Sequence, residues 1–497
     1  YKRQDVADLG ARFSAELRAL AGVVAGGAPI GASPSDIPGT TISQDELDTL
    51  AVRFPGADVW PLTPLQQGLY FQSEMATGGD GVDVYVTQAV LELGGEIDAE
   101  RLHAAAAALL AHHRVLRSGY VRTDAGAVVA VVPEAVDIPW REIDLDGGSH
   151  EVADSVSEIA AAEKLAPFAL DAPPLIRFVL IRHGETASLI VTNHHILLDG
   201  WSGPLVLADL LALYAGRGMF TSALAHRDSD AEPTSGAVAA DFGTHVRRLA
   251  ARDDSTGLDT WRRVLAPLTE PTLVAPQNDD DISTPPRDHT EHLGAELSTA
   301  LDTLARDLGV TVSTVLQFAW SVLLSRLTGN RVVGFGETVS GRPADLDGVE
   351  SMVGLFINTL PVVVDVDPGS AAAEVLRRLQ QDKIAVLDHQ HLGLPEITAT
   401  TGLPVLFDTL TVYESFPVAS ESLSTADAAL TGGLQILGID AGDSTHYPLN
   451  LSATPSAEGV AITLKYLPAV FDAAQIERFA AAVRTILATI ASAPDIA

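Results

Sequence analysis

A mixed α/β fold divided into two lobes is what this sequence predicts, on three observations. Its 497 residues exceed the size at which one hydrophobic core keeps growing. Its 47% of hydrophobic residues is enough to fill real cores. Strand-like and helix-like apolar patterns then alternate through both halves, the mixture expected where helices cover sheets.

Taken in order, Val6, Leu9, Phe13, Leu17 and Leu20 make one helical apolar stripe, and Ile476, Phe479, Val483, Leu487 and Ile490 make a matching one at the other end. The match implies that residues 1–25 are the last helix of a preceding, related domain. Residues 26–57 begin rich in Gly, Pro and Ser and read as a linker, interrupted by a short helix capped from Ser43. Thr63 and Pro64 open the next helix as cap and first residue. Residues 83–93 alternate as a strand, 99–113 form an Ala-rich helix, and 175–181 with 187–191 read as two strands joined by a turn. In the second half 298–308 and 312–327 are helical and 332–339 strand-like. Residues 222–235 and 267–286 are loop-rich and acidic.

Composition narrows the function classes. The net charge is −34, from 65 acidic and 31 basic residues, a surface that repels nucleic acid and anionic membranes. Cysteine is absent, which removes disulfides and a thiol nucleophile and suits a reducing cytoplasm. No apolar run is long enough to span a bilayer, and no signal peptide opens at Tyr1.

Chemistry concentrates in one stretch, His194-His195-Ile196-Leu197-Leu198-Asp199-Gly200-Trp201-Ser202. The histidines fall at a strand end and an apolar helix follows, so Asp199 and Ser202 stand where caps are needed and Gly200 allows tight passage. An imidazole accepts protons near neutral pH and helix-start N–H groups can hold an oxyanion, a pairing that suits acyl transfer. His195 and Gly200 are the candidates for those roles. His194 reads either as a second chemical group or as a satisfied core residue, because strand neighbours face opposite ways. A metal site with Asp199 as third ligand is disfavoured for the same reason, and no metal is expected.

His-His-x-x-x-Asp-Gly in this setting resembles the signature of the condensation domains of nonribosomal peptide synthetases, which are similar to chloramphenicol acetyltransferase. Residues 58–71, 112–120, 340–343 with 352–361, 388–395, 406–417 and 445–451 resemble further motifs of that family, in order, over 58 to 490. The resemblance implies two chloramphenicol-acetyltransferase-like lobes, 58–265 and 266–497, a pseudo-dimer in a V shape with a central tunnel. It implies that Arg117 is the cation paired with Asp199, where the residues alone give a surface arginine. Ser340, Asn358 and Trp201 become candidates for the tunnel wall. Arg342 reads equally as a tunnel group or a structural ion pair, His389 and His391 as a helix-end cap, and His446 as packing.

By the same resemblance the chain forms a peptide bond between a donor thioester and an acceptor aminoacyl thioester. Each rides on the 4′-phosphopantetheine of a partner carrier protein, and the chain itself binds no cofactor. Expected partners are upstream and downstream carrier proteins and neighbouring epimerisation and adenylation domains. The residues after the signature, together with the helix and linker at 1–57, resemble the subtype that takes a D-configured donor. The alternatives are an epimerisation-type domain, which usually has Val-Ser-Trp after the Asp-Gly, a cyclisation domain, which has aspartates for the histidines, and a recruitment platform that has lost catalysis.

Overall fold

The computed structural model describes residues 3–25, 32–78, 82–146, 149–219, 241–275, 285–414, 432–442, 445–456 and 458–496. The predicted loop at 222–235 and the acidic run at 279–281 lie outside the described residues.

The first half runs α1 (Arg3–Ala25), α2 (Gln44–Arg53), β1 (Asp58–Trp60), α3 (Pro64–Thr77), β2 (Val86–Gly95), α4 (Ala99–His112), β3 (Gly119–Arg122) and β4 (Val128–Val132). It continues through β5 (Trp140–Asp144), α5 (Ser149–Leu165), β6 (Ile176–His183), β7 (Thr186–His194) and α6 (Ser202–Tyr214). The sequence signals set the starts: Ser43 and Glu46 form a capping box on α2, and Thr63 with Gln66 does the same on α3, with Pro64 in the first turn. β1, β4 and β3 make a small antiparallel sheet. The expected linker is docked there rather than free: Ile37, Ile42, Leu47 and Leu50 are buried against Val59, Val129 and Val131. Each such side chain gains roughly 1.5–3 kcal/mol on leaving water, which outweighs the local Gly and Pro content.

The second half runs α7 (Phe242–Ala250), α8 (Ser255–Leu265), β8 (Arg287–His292), α9 (Gly294–Leu308), α10 (Val312–Thr328), β9 (Val332–Val339), β10 (Asn358–Asp365), α11 (Ala372–Ala385) and α12 (Leu394–Ala399). β11 (Thr409–Tyr413), β12 (Leu434–Gly442), β13 (Leu449–Ser456), β14 (Gly459–Tyr466) and α13 (Ala473–Ser492) complete it. Its six-stranded sheet has the order β10-β9-β11-β13-β14-β8, and helices bury a second core around Trp320, Phe335, Leu464 and Leu487. Among the described residues no single helix is long and apolar enough to cross a membrane. The apolar bent pair α9–α10 buries Leu304, Val315 and Trp320 in this core.

The lobes interlock, so the expected cut at 265/266 is not clean. β12 leaves the second half and pairs antiparallel with β2, making the first sheet β12-β2-β7-β6-β5. The segment before β10 plugs Leu346, Met352, Leu355 and Phe356 into the first core. Two glycines permit this entry. A Cβ on Gly354 would lie 2.2 Å from the Phe242 ring, and Gly341, at φ +61°, would place one 1.8 Å from the Phe356 carbonyl oxygen.

The two terminal helices part company. α13 buries Ile476, Val483, Leu487 and Ile490, while Val6, Leu9 and Phe13 of α1 remain 58–69% exposed.

Candidate active site

β7 delivers the two histidines to the end of the first sheet, and the strand alternation separates them. His194 pairs across the sheet with Val86 and is fully buried. Its Nδ1 accepts the Ile196 N–H at 3.1 Å, so its proton sits on Nε2, between Ser73 Oγ at 2.9 Å and Asp83 Oδ2 at 3.2 Å. Burial works against the Asp83 charge, yet hydrogen bonds from His194, Tyr85 and Ser73 hold its carboxyl below the usual range. Of the two readings of His194 this is the satisfied core residue; as a group meeting substrate it is corrected, because no face of the ring is free.

His195 turns the other way. Its N–H donates to the Tyr85 carbonyl at 2.8 Å, and its Nδ1 lies 2.8 Å from the Leu198 carbonyl. A carbonyl oxygen only accepts, so Nδ1 carries the proton and Nε2 keeps a bare lone pair. The ring borders a cavity of about 720 Å³, walled by Leu65, Leu69 and Tyr85 from one lobe and by Leu394, Phe407 and Tyr447 from the other. Gly200 borders it too, and among the described residues no protein acceptor takes the Gly200 N–H. A proton acceptor and an N–H donor thus meet at one largely apolar space, the arrangement acyl transfer requires.

Asp199 locks the loop that carries them. One oxygen accepts the Ser202 N–H at 2.9 Å at the start of α6; the other accepts the Phe356 and Ile357 N–H groups at 2.9 and 3.3 Å. Its cation is Arg342, 3.3 Å away, with the pair only 3% and 0% exposed. The guanidinium also donates to Ser202 Oγ and to the Val349 and Met352 carbonyls, and lies over the rings of Phe356 and Trp201. Arg342 is therefore the structural ion pair of its two readings.

Arg117, expected in that place, lies elsewhere. It is buried and donates to the carbonyls of Leu110, Ala111 and Pro133, closing the C-terminal end of α4, where a cation meets the unpaired carbonyls. The tunnel-wall candidates also change. Ser340 is exposed and does not border the cavity. Asn358 borders it, but its amide donates to the Gln390 and Leu392 carbonyls and its oxygen accepts the Thr359 N–H. Trp201 spends its indole N–H on the Glu350 carbonyl, 3.0 Å away, and does not reach the cavity.

Among the described residues no group of three or more His, Asp or Glu is placed to hold a metal. His391 faces Asp254 Oδ1 at 2.9 Å, and the His389 carbonyl accepts the Trp261 indole N–H. His446, expected only to pack, borders the cavity with its Nδ1 against the Tyr85 hydroxyl. A shared position was the available signal: Tyr85 and His446 each stand just ahead of a strand, β2 and β13.

Comparison with known proteins agrees with this geometry. Chondramide synthase of Chondromyces crocatus is 34% identical over 472 residues, 85% of this chain and 12% of that protein. Vanchrobactin synthetase of Vibrio anguillarum is 31% identical over 429 residues, 85% of this chain and 14% of that protein. The chain thus spans a small fraction of the relatives it matches. The first condensation domain of the calcium-dependent antibiotic synthetase, solved with a substrate analogue, superposes with a TM-score of 0.68 at 19% identity, covering 88% of this chain and 97% of that one. The family model described as Condensation domain matches residues 56–497. With its histidine loop in place between two interlocked lobes, the chain belongs to the condensation domains of nonribosomal peptide synthetases, a family of amide-forming acyltransferases.

Proposed function

We propose that the chain joins two carrier-borne thioesters, the α-amine of the acceptor attacking the thioester carbonyl of the donor. A C–N bond forms, the C–S bond breaks, the amine gives up a proton and the departing sulfur of the donor arm gains one. One observation carries this reading: the bare Nε2 of His195 beside the unpartnered Gly200 N–H, at a cavity walled by both lobes. Nε2 takes the proton or a hydrogen bond from the amine, and the Gly200 N–H helps to hold the oxyanion. Bringing two tethered reactants together supplies ~7–11 kcal/mol of the barrier, and a well-placed base a further ~10²–10⁴-fold. His195→Ala, assayed on purified chain with loaded carrier proteins, is expected to lose that second factor. Unchanged product formation refutes the assignment, whereas a native chain that forms no product above the uncatalysed rate favours a recruitment platform.

The donor in this reading is a peptidyl thioester with a D-configured terminal residue, brought by an upstream carrier, and the acceptor sits on a downstream carrier beside an adenylation domain. Its support is the residues after the signature, Trp201-Ser202-Gly203-Pro204-Leu205, and the exposed stripe of α1. That stripe is what a helix belonging to the core of an upstream epimerisation domain would present once separated from it. Donors of both configurations compared at equal loading decide the matter: equal rates, or preference for L, defeat the subtype. The reaction is placed in the cytoplasm, where the absence of cysteine fits.

A further inference from the structure

The second sheet is covered unequally on its two faces. On one, α9, α10, α11 and α13 bury Phe335, Leu451 and Leu464 in the second core. On the other, α8 and α12 pack at the β10 end, around Leu360 and Val363. Strand alternation turns Val412 of β11 to this second face while its neighbour Tyr413 packs on the core. The register sets Ser452 of β13 opposite Val412, and Thr338 of β9 beside it, one step on from the Thr411–Glu337 pair. All three are half-buried and border the cavity, on middle strands of a six-stranded sheet, where an apolar side chain ordinarily meets a covering layer.

One row away the covering is present. A Cβ on Gly336 would lie 2.8 Å from the Phe407 ring and 2.8 Å from the Leu410 side chain, so the glycine lets Phe407 lie down on the sheet. There the ring meets Tyr447, with centroids 6.0 Å apart. Phe407 thus closes the sheet on one side and Val412 is left at the floor of a recess, with the small side chains of Thr338 and Ser452 on the flanking strands. Leu403 and Val405, also half-buried, add apolar surface to the same cavity.

Charge is scarce in this space. Histidines aside, Lys465 and Glu414 are the charged residues that border it; they are opposite in sign and both already hold partners, the Glu414 carboxylate accepting the Thr454 hydroxyl at 3.1 Å. A charged substrate group that enters here leaves water without meeting an unspent counter-charge, which is costly, whereas an apolar group gains by the same move.

We infer that the recess over Val412 receives the side chain of a substrate residue and selects a large apolar one. That a substrate residue enters rests on the acyl-transfer reading above, since His195 borders the same cavity. Donor and acceptor each bring a side chain, and the chemistry of the recess is the same for either.

The test is an NMR titration of the purified chain with aminoacyl pantetheines in which a thioether replaces the thioester. Leu, Ala, Asn and Asp side chains are compared in two series, N-acetylated in both configurations to imitate the donor, and with a free amine to imitate the acceptor. In at least one series the Leu form is expected to bind about tenfold or more tightly than the other three, and the series that shows it assigns the occupant. Asn has the branching of Leu without its apolar surface, so it separates apolar selection from mere fit. Val412→Phe fills the recess and is expected to bring the Leu form down to the level of the Ala form. Ser452→Leu fills it from the next strand and serves where Val412→Phe fails to fold. A Leu form that binds no more tightly than the Ala, Asn or Asp form in every series of the native chain overturns the inference. A preference for Leu that survives in the folded variants places the selection elsewhere and overturns it too, as does an equal weakening of the Leu and Ala forms, which marks the residues as structural. No turnover is needed, so a failure of peptide-bond formation in the His195 assay strikes the acyl-transfer reading and leaves this titration interpretable.

Discussion

Two junctions of this molecule share a backbone plan and differ in use. In the first, the β6–β7 hairpin passes through a short loop into α6; in the second, the β13–β14 hairpin passes through another into α13. The residue after each hairpin donates its N–H to the residue just ahead of the neighbouring strand, His195 to Tyr85 and Leu467 to Pro448. Each loop holds an aspartate whose carboxylate accepts the N–H three residues on, Asp199 to Ser202 and Asp472 to Gln475. The first loop looks across at the opposite lobe and exposes His195 to a cavity. The second folds back on its own core with Tyr466 and Phe471. In the proposed function a strand end serves chemistry when its side chain meets space between bodies rather than packing within one.

The sharpest way to break this comparison is to cut each loop at its defining side chain. His195→Ala is expected to cut product formation by ~10²–10⁴-fold while the melting temperature holds, because the ring supports no core. Phe471→Ala, 8% exposed in the second core, is expected to cost about 3–5 kcal/mol of stability with turnover per folded molecule unchanged. Denaturant melts alongside carrier-loaded assays read both. If Phe471→Ala also abolished turnover in the folded fraction, the junctions would not be separable in function.

The two aspartates differ next. Asp199→Asn keeps the shape but leaves Arg342 buried without its counter-charge, a loss of about 3–5 kcal/mol, and frees the loop beneath His195. Both stability and turnover are expected to fall. A variant that melts like the native chain would mean that Arg342 finds its compensation in Ser202 Oγ and the Val349 and Met352 carbonyls.

How much of this was legible follows from contact range. Capping boxes at Ser43 and Thr63, the hairpin, and the histidine loop are local, and each is written within a few residues. Arg342 lies 143 residues from Asp199, and Tyr85 lies 361 from His446; no spacing rule reaches so far. Arg117 was misassigned because an arginine after a helix has an equally good local use, the carbonyls that end α4. β12 was unreadable as part of the first sheet, since an edge strand records its sheet in the partner and not in its own pattern.

Acid separates the junctions more gently. His245 packs on Phe242 and Phe356 beside the first junction; burial, then the charges of Arg342 and Arg248, push it down to about 4, and burial alone does so for His446. In the unfolded chain both titrate near 6.5. A depressed histidine contributes its stability in full above 6.5 and loses it as pH falls from there through 4, where the unfolded state binds protons the folded state refuses. The difference is up to roughly 3 kcal/mol each. Melting temperature is expected to drop across that window, and less steeply in His245→Gln. Amide exchange should rise first at 195–202 and later at 466–473; the reverse order would place the acid-labile contacts elsewhere.

The smallest difference tests whether the two caps are the same device. Asp472 is exposed and satisfies only its own helix, where Gln475 returns the bond in a capping box. Removing it by Asp472→Ala is expected to cost about 1 kcal/mol, the usual worth of a cap, with no change in turnover. Asp199 makes the equivalent bond to Ser202, and its further donors, the Phe356 and Ile357 N–H groups and Arg342, lie beyond that common part. Subtracting the cost of Asp472→Ala from that of Asp199→Ala by denaturant melts therefore isolates what the inter-lobe bonds add. A cost for Asp199→Ala no larger than that for Asp472→Ala would mean the bonds to Phe356, Ile357 and Arg342 add nothing net, and that the loop under His195 is held by its helix cap alone.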